Sequence, residues 1–156
     1  MGGGGGRGAG PPRVRAILPR HAERPGFTFL AALDGSRLVG FAYGYRGEPG
    51  QWWHDTVRAA MTPAQRDRWL APGHVELAEL HVARDRRGGG IGGRLHDALL
   101  ASYTDAATAV LSTQTANAPA LALYRGRGWG VVVPRLQFAA GGEAYAILGV
   151  DLPLAL

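Results

Sequence analysis

The chain has 156 residues, of which 46% are hydrophobic, so it is long and apolar enough to bury a core. It contains no cysteine, which excludes disulfides, thiolate metal ligands and a cysteine nucleophile and favours a cytoplasmic location. The net charge is +5 and all 17 basic residues are arginine; such a charge suits nucleic acid, a membrane surface or a small polyanionic ligand equally.

No apolar run approaches the roughly 20 residues that span a bilayer, and the N-terminus lacks the basic-then-apolar order of a signal peptide. We therefore expect no membrane partner. Residues 1–12 are glycine-rich and predict a disordered leader, which leaves residues 13–156 as a single domain.

The first half of the chain predicts a helix, a hairpin and a helical insertion. The run RVRAILPRHAER predicts a short helix that is interrupted or ends around Pro19. The runs FTFLAALD and RLVGFAYGY are apolar and aromatic, and Asp34-Gly35-Ser36 between them predicts a β-hairpin. The segment QWWHDTVRAAMTPAQRDRWLAPG predicts helices, with Thr62 as an N-cap and Pro63 as a first helical residue.

The second half alternates strands and helices. HVELAELHVA, AVLSTQT, WGVVVP and AYAILGVDLP predict strands, and GGRLHDALLASYTDA predicts a helix. Asn117 caps a further helix, APALALYRGR, which Gly126 or Gly128 ends in a left-handed conformation. The order helix, hairpin, helical insertion, then β-α-β-α-β-β predicts a mixed α/β fold with a central sheet covered by helices.

The loop between the first of these strands and its helix reads RRGGGIGG. Backbone N–H groups at a helix N-terminus bind anions, glycines let a phosphate approach closely, and Arg86 and Arg87 add charged donors. No Gly-Lys-Ser/Thr follows, so this is not a Walker A loop, and no acidic residue about 20 residues on supports a dinucleotide site. The alternative is a flexible turn in a glycine-rich protein.

Two motifs in order give the loop a more specific interpretation. The segment from Arg87 to Gly92 resembles the R-x-x-G-x-G signature of the GNAT-family N-acetyltransferases, which bind the pyrophosphate of acetyl-coenzyme A (acetyl-CoA) there. The later run NAPALALYRGRGW resembles that family's next motif, with Gly-Trp where the family often has Gly-Phe. The resemblance spans about residues 27–152 and implies a GNAT-like acyl-CoA N-acyltransferase fold, a central mixed sheet flanked by helices, with acetyl-CoA as donor and no metal.

One departure concerns the start of the chain. Members of the family begin with a strand and one or two helices before the hairpin, and here only residues 13–24 are left for them. We expect the first strand and the first helix to be missing or replaced by the leader, which would leave the acceptor side of the site incomplete.

The resemblance assigns cofactor-binding roles. The backbone of one strand is expected to bind the pantetheine arm, and the loop with Arg87 the pyrophosphate. Arg84, Arg86 and Arg94 either meet the other phosphates or form a solvated basic face. Asn117 either contacts the cofactor or only caps its helix. The full cofactor-binding set is Leu80, His81, Val82, Arg87, Gly88, Gly89, Gly90, Ile91, Gly92, Gly93 and Asn117.

Acetyl transfer also needs an acid and a base. Tyr124, seven residues and thus two turns after Asn117, is the candidate general acid for the departing thiolate, and a core tyrosine is the alternative. Glu76 and Glu79 are the candidate bases and alternate onto opposite strand faces. His81 shares the face of Glu79 and is a third candidate.

The aromatic segment at residues 52–54 has two interpretations. Trp52, Trp53 and His54 either roof an acceptor pocket or anchor a helix to the sheet, and the second is favoured. The remaining histidines show no metal-ligand spacing.

The function predicted is transfer of acetyl from acetyl-CoA directly to a primary amine on a small molecule or peptide. A backbone N–H near Val82 would stabilise the oxyanion of the tetrahedral intermediate, and no cysteine exists to carry the acetyl group. A non-catalytic acyl-CoA binder and a basic nucleic-acid-binding module are the alternatives. The second is disfavoured because the arginines cluster at loop and helix starts, not among aromatics on a strand face, so no nucleic-acid partner is expected. A homodimer is left open.

Overall fold

The elements follow the predicted order. The computed structural model describes residues 12–155, so the predicted leader lies outside the described residues except for Pro12, which begins the first helix. The helices are α1 (Pro12–His21), α2 (Trp52–Ala59), α3 (Pro63–Trp69), α4 (Ile91–Ala101) and α5 (Ala118–Arg125). The strands are β1 (Thr28–Asp34), β2 (Arg37–Arg46), β3 (Val75–Val82), β4 (Thr108–Gln114), β5 (Gly130–Gln137) and β6 (Ala144–Asp151).

The described chain forms two compact units. The first unit comprises residues 12–46 and 77–102, and the second comprises residues 47–76 and 103–155. The strand order is β1-β2-β3 in the first and β3-β4-β6-β5 in the second, because β3 contributes residues to both. The β3–β4 pair is parallel, whereas β1–β2, β4–β6 and β5–β6 are antiparallel. This confirms the predicted mixed α/β class.

The first unit packs helices on both faces of its hairpin. Side chains alternate along β2, so Phe41, Tyr43 and Tyr45 lie together on one face, where they form a buried cluster with Val14 of α1. Gly40 points to the other face. A Cβ on that glycine would lie 3.1 Å from a methyl group of Leu95 and 3.3 Å from one of Ile91, so its lack of a side chain lets α4 approach closely.

The hairpin turn and the insertion form as predicted. Gly35 takes the left-handed conformation (φ 61°) in the turn that joins β1 to β2. Thr62 and Gln65 form a reciprocal capping box at the start of α3: the Thr62 hydroxyl accepts from the Gln65 N–H at 3.2 Å, and the Gln65 side chain accepts from the Thr62 N–H at 2.9 Å. Residues close in sequence therefore set these boundaries.

Several predicted boundaries are wrong. Helix α1 continues through Pro19 to His21, because packing of Leu18 on the aromatic cluster outweighs the one backbone hydrogen bond that proline removes. Helix α4 ends at Ala101 and not at residue 106, because Ser102 closes the last turn by donating to the Leu99 carbonyl at 2.6 Å.

Two further differences concern proline and glycine. Strand β5 runs past Pro134, which lies at the outer strand of its unit and within a register irregularity, where no ladder hydrogen bond is lost. After α5, Gly128 is left-handed (φ 89°), whereas Gly126 remains right-handed (φ −63°). Only the second glycine therefore reverses the chain.

A pair of facing glycines tests the packing of the second unit. Gly130 of β5 and Gly149 of β6 are cross-strand partners. A Cβ on Gly149 would lie 2.6 Å from the Trp69 ring, whereas a Cβ on Gly130 would meet nothing within 4 Å. We expect Gly149→Ala to lower the free energy of unfolding by about 1–3 kcal/mol through overpacking. Gly130→Ala, the matched control, is expected to change it by less than about 1 kcal/mol. Urea unfolding followed by circular dichroism measures both, and equal effects would contradict the packing of Trp69 on β6.

Candidate active site

The glycine loop joins the end of β3 to the start of α4. Ala83 donates its N–H to the Val39 carbonyl at 2.8 Å, and a short 3₁₀ turn follows over Arg84–Arg86. Gly88 and Gly90 then take left-handed conformations, with φ of 87° and 86°. A Cβ on Gly88 would meet nothing within 4 Å, so the requirement for glycine there comes from the backbone angle and leaves open space above the loop.

Helix α4 begins with its positive end toward this loop. Its N-cap is Gly90, which offers no side-chain acceptor, and no acidic residue lies in its first turn. The N–H groups of the first turn have no partners inside a helix, and together with the helix dipole they attract anions. The backbone that the sequence assigned to pyrophosphate therefore has the geometry of an anion site.

The arginines around the loop differ in what they contact. Arg87 donates its Nε to the Val82 carbonyl at 3.2 Å, so its side chain turns back onto the end of β3. Arg86 is ion-paired with Asp34. One guanidinium nitrogen of Arg94 lies 3.8 Å from the position that a Cβ on Gly90 would occupy, which places positive charge beside the loop. Open space, outward N–H groups and arginines together fit a diphosphate.

Glu79 and His81 meet on β3, on one face of the strand as predicted. The His81 Nε2 lies 2.7 Å from the Glu79 Oε1, and Glu79 is only 7% exposed. The His81 side chain is 31% exposed, and its ring centroid lies 5.2 Å from that of Phe41. A buried carboxyl group is thus joined to an imidazole that reaches solvent.

Glu76 lies in the second unit. It is buried, and the parallel ladder between β3 and β4 consists of the pairs Val75–Ala109 and Glu76–Val110. Residues 80–82, whose backbone is predicted to bind pantetheine, belong to the first unit.

Asn117 and Tyr124 also belong to the second unit. Asn117 caps α5, with its side-chain oxygen accepting from the Ala120 N–H at 3.2 Å. Tyr124 is 7% exposed, and its ring meets the Trp129 ring edge-on with centroids 5.6 Å apart. The Trp129 N–H donates to the Tyr124 carbonyl at 3.1 Å. The Gly-Trp end of the motif therefore fixes the last turn of α5 and the tyrosine on it.

The three residues of the aromatic segment in α2 lie in different environments. The Trp53 indole N–H donates to the Ser112 hydroxyl of β4 at 3.0 Å, which anchors the helix to the strand. His54 is buried and stacks on His74 with centroids 5.3 Å apart. Trp52 is 63% exposed and contacts only the Phe138 ring among the described aromatics. The anchoring interpretation therefore holds for Trp53.

Sequence reasoning missed two charged residues that hold the loop. Arg37 donates to both carboxylate oxygens of Asp85, at 2.9 and 2.7 Å. The Arg37 hydrogen bond and then its charge hold the pKa of the Asp85 carboxyl below its usual value. These residues lie 48 positions apart, and no local pattern in the sequence links them.

Comparisons with known proteins agree with the two motifs. A family model described as the acetyltransferase (GNAT) family matches residues 7–129. Among curated proteins, the chain is similar to the GCN5-like protein acetyltransferase Rv2170 of Mycobacterium tuberculosis. The two are 37% identical over 151 residues, which cover 90% of this chain and 73% of the relative.

Solved structures share the fold at low sequence identity. The ribosomal-protein-S18-alanine N-acetyltransferase of Escherichia coli superposes with a TM-score of 0.65 at 18% identity, over 96% of this chain and 83% of that one. A Bacillus subtilis acetyltransferase in complex with CoA gives a TM-score of 0.62 at 17% identity, over 90% and 86% of the two chains. Within residues 12–155, no helix combines the length and apolarity needed to cross a membrane.

Proposed function

Because the chain belongs to the GNAT acetyltransferase family, an acetyl-CoA-dependent acyltransferase family, we propose that it transfers the acetyl group directly to a primary amine. The observation that carries the proposal is the loop over residues 87–92, where two left-handed glycines lead into a helix without a side-chain cap. That backbone suits a diphosphate. The acceptor amine is carried by a small molecule or a peptide.

The coenzyme would be held mainly by backbone groups and arginine. The N–H groups at the start of α4 would take the pyrophosphate, with Arg87 beside them. The backbone of Leu80 to Val82 would bind the pantetheine arm, since this end of β3 leads directly into the glycine loop. Bound acetyl-CoA supplies a thioester whose carbonyl carbon accepts the amine and whose sulfur leaves as a thiolate.

Glu79 is proposed as the general base that takes the proton of the acceptor ammonium. Its hydrogen bond to the partly exposed His81 gives that proton a route to solvent: it passes from the carboxyl group to the imidazole and then to water. Strand alternation places Glu76 on the face of β3 opposite to that of Glu79 and His81. This difference supports Glu79 as the base over Glu76.

Tyr124 is proposed as the general acid whose hydroxyl gives a proton to the departing thiolate. Its burial and its ring contact with Trp129 hold the side chain in one orientation, and Asn117 orders the start of the same helix. A backbone N–H near Val82 would stabilise the negative charge that develops on the thioester oxygen. Proton removal and proton delivery thus fall to two different side chains.

Acetyl-CoA should stabilise the folded protein. At 100 times its dissociation constant the cofactor should add about 2.7 kcal/mol to the free energy of unfolding. Gly90→Glu should abolish the gain, because it places a carboxylate against the pyrophosphate. Gly130→Glu, on the open surface of β5, is the charge-matched control and should keep it. Thermal unfolding with and without millimolar acetyl-CoA measures the effect, and a melting temperature that does not move for the parent protein contradicts the proposed function.

The variant Tyr124→Phe should distinguish an enzyme from a protein that only binds acetyl-CoA. The change removes the proton donor and keeps the ring packed on Trp129, so turnover should fall about 100-fold while acetyl-CoA affinity changes little. Tyr103→Phe, at another buried tyrosine of the same unit, is the control and should keep turnover. Thiol release from acetyl-CoA is measured against a panel of small amines and peptide N-termini. A parent protein that binds acetyl-CoA and acetylates none of these amines would instead be a binder.

Glu79→Gln should lower turnover about 10²- to 10⁴-fold, because the amide cannot accept the amine proton. The rise of kcat/KM with pH that reports the base should disappear in this variant. Glu76→Gln is the matched control on the opposite face of β3 and should keep both the rate and the rise. A loss of activity in Glu76→Gln with Glu79→Gln unaffected would assign the base to Glu76.

A further inference from the structure

Two crossed ion pairs join the glycine loop to the β1–β2 hairpin. Asp34 and Arg37 are cross-strand partners on either side of the hairpin turn. Asp85 and Arg86 are neighbours in the 3₁₀ turn at the start of the loop. Arg37 pairs with Asp85 and Asp34 pairs with Arg86, so each acid meets the base of the other segment. We call these four residues the hairpin clamp.

The clamp fixes the loop where it leaves β3. Arg37 binds Asp85 through two parallel hydrogen bonds, a geometry that restricts rotation as well as separation. A single exposed ion pair contributes little to stability, but two pairs on adjacent residues restrain one another. The hydrogen bond from the Ala83 N–H to the Val39 carbonyl adds a third attachment. The 3₁₀ turn is therefore held by a backbone hydrogen bond at Ala83 and by ion pairs at Asp85 and Arg86.

The clamp also divides the loop arginines into two groups. The Arg86 guanidinium is engaged by Asp34, whereas Arg84 and Arg94 have no ion pair within residues 12–155. Both are exposed, and Arg94 lies beside Gly90. Phosphate groups arriving at the loop would meet Arg84, Arg87 and Arg94, while Arg86 is already neutralised.

We propose that the hairpin clamp positions the coenzyme loop, so that Asp34, Arg37, Asp85 and Arg86 set acetyl-CoA affinity without touching the coenzyme. This inference rests on the proposed function, because the loop must bind the coenzyme for the clamp to matter. It runs against what charge alone predicts: two of the four residues are acidic, and acids near a phosphate site should weaken binding. When an acidic residue of the clamp is replaced, the clamp predicts weaker coenzyme binding, whereas charge alone predicts tighter binding.

Charge reversal at the Arg37–Asp85 pair separates the explanations. If the clamp positions the loop, Asp85→Arg and Arg37→Asp each weaken coenzyme A binding about fivefold or more. The double variant Arg37→Asp/Asp85→Arg restores the ion pair, so its dissociation constant returns to within about twofold of that of the parent. Under charge alone, Asp85→Arg tightens binding. Asp34→Asn gives the same contrast with a smaller change in shape: weaker binding for the clamp and tighter binding for charge alone. Calorimetric titration with coenzyme A at fixed salt measures each dissociation constant.

The control is an exposed ion pair of matched geometry in the second unit. Arg68 and Asp151 are paired at 2.9 Å, and their side chains are 47% and 67% exposed, against 46% and 60% for Arg37 and Asp85. Asp151→Arg makes the same change in net charge as Asp85→Arg and should leave the dissociation constant within twofold of the parent. In turnover assays the clamp variants should raise the KM for acetyl-CoA and leave kcat unchanged, since they move the loop and not the proton donors or acceptors.

The outcomes separate the clamp from the proposed function. If the parent protein does not bind coenzyme A, the proposed function fails and the clamp fails with it. If the parent binds coenzyme A, and Asp85→Arg and Asp34→Asn bind it as tightly or more tightly, the clamp alone is overturned. If the charge-reversed variants do not fold, Asp34→Asn and Asp85→Asn, which introduce no opposing charge, give the same test: weaker binding supports the clamp, and unchanged or tighter binding overturns it.

Discussion

The chain reverses between Val82, where β3 ends, and Ile91, where α4 begins, and the rest of the site depends on that reversal. It requires two left-handed residues, at Gly88 and Gly90, and a side chain at either position would strain the backbone. Because the reversal is short, the N-terminal N–H groups of α4 lie next to the loop that follows β3, and Arg87 can fold back onto the Val82 carbonyl. A strand end, a helix dipole and a cation are thereby gathered within one stretch of sequence.

Strand β3 carries the candidate base and leads into the glycine loop. Strand alternation places Glu79 and His81 on one face of β3, and the hydrogen bond between them joins a buried carboxyl group to a half-buried ring. The strand then continues directly into the loop. Any displacement of β3 would move the candidate base and the glycine loop together, and the loop is also attached to the neighbouring hairpin through Val39, Arg37 and Asp34.

Features encoded by adjacent residues could be predicted, and features made by distant ones could not. Thr62, Asn117 and the turn at Gly35 follow from short-range hydrogen bonding and backbone preference, so the predicted caps and hairpin form. The loop arginines illustrate the limit: Arg84, Arg86 and Arg94 look equivalent in sequence, and only the partner 52 residues away distinguishes Arg86. The end of α1 was missed for the same reason, since the packing of Leu18 decides whether this helix passes Pro19. The single domain over residues 13–156 and the role of each site residue stay predictions.

The count of 17 arginines overstates the number of guanidinium groups available to a ligand. Arg37, Arg68 and Arg86 are each held by an aspartate, and Arg24 donates to the Tyr45 hydroxyl at 2.7 Å with its guanidinium 4.8 Å from the ring centroid. Arginine suits both uses, because its planar fork binds a carboxylate or a phosphate through two parallel hydrogen bonds. Composition could not separate a nucleic-acid surface from a coenzyme site for this reason. The arginines beside one left-handed glycine loop form a local concentration of charge, and charge of that kind suits a compact diphosphate.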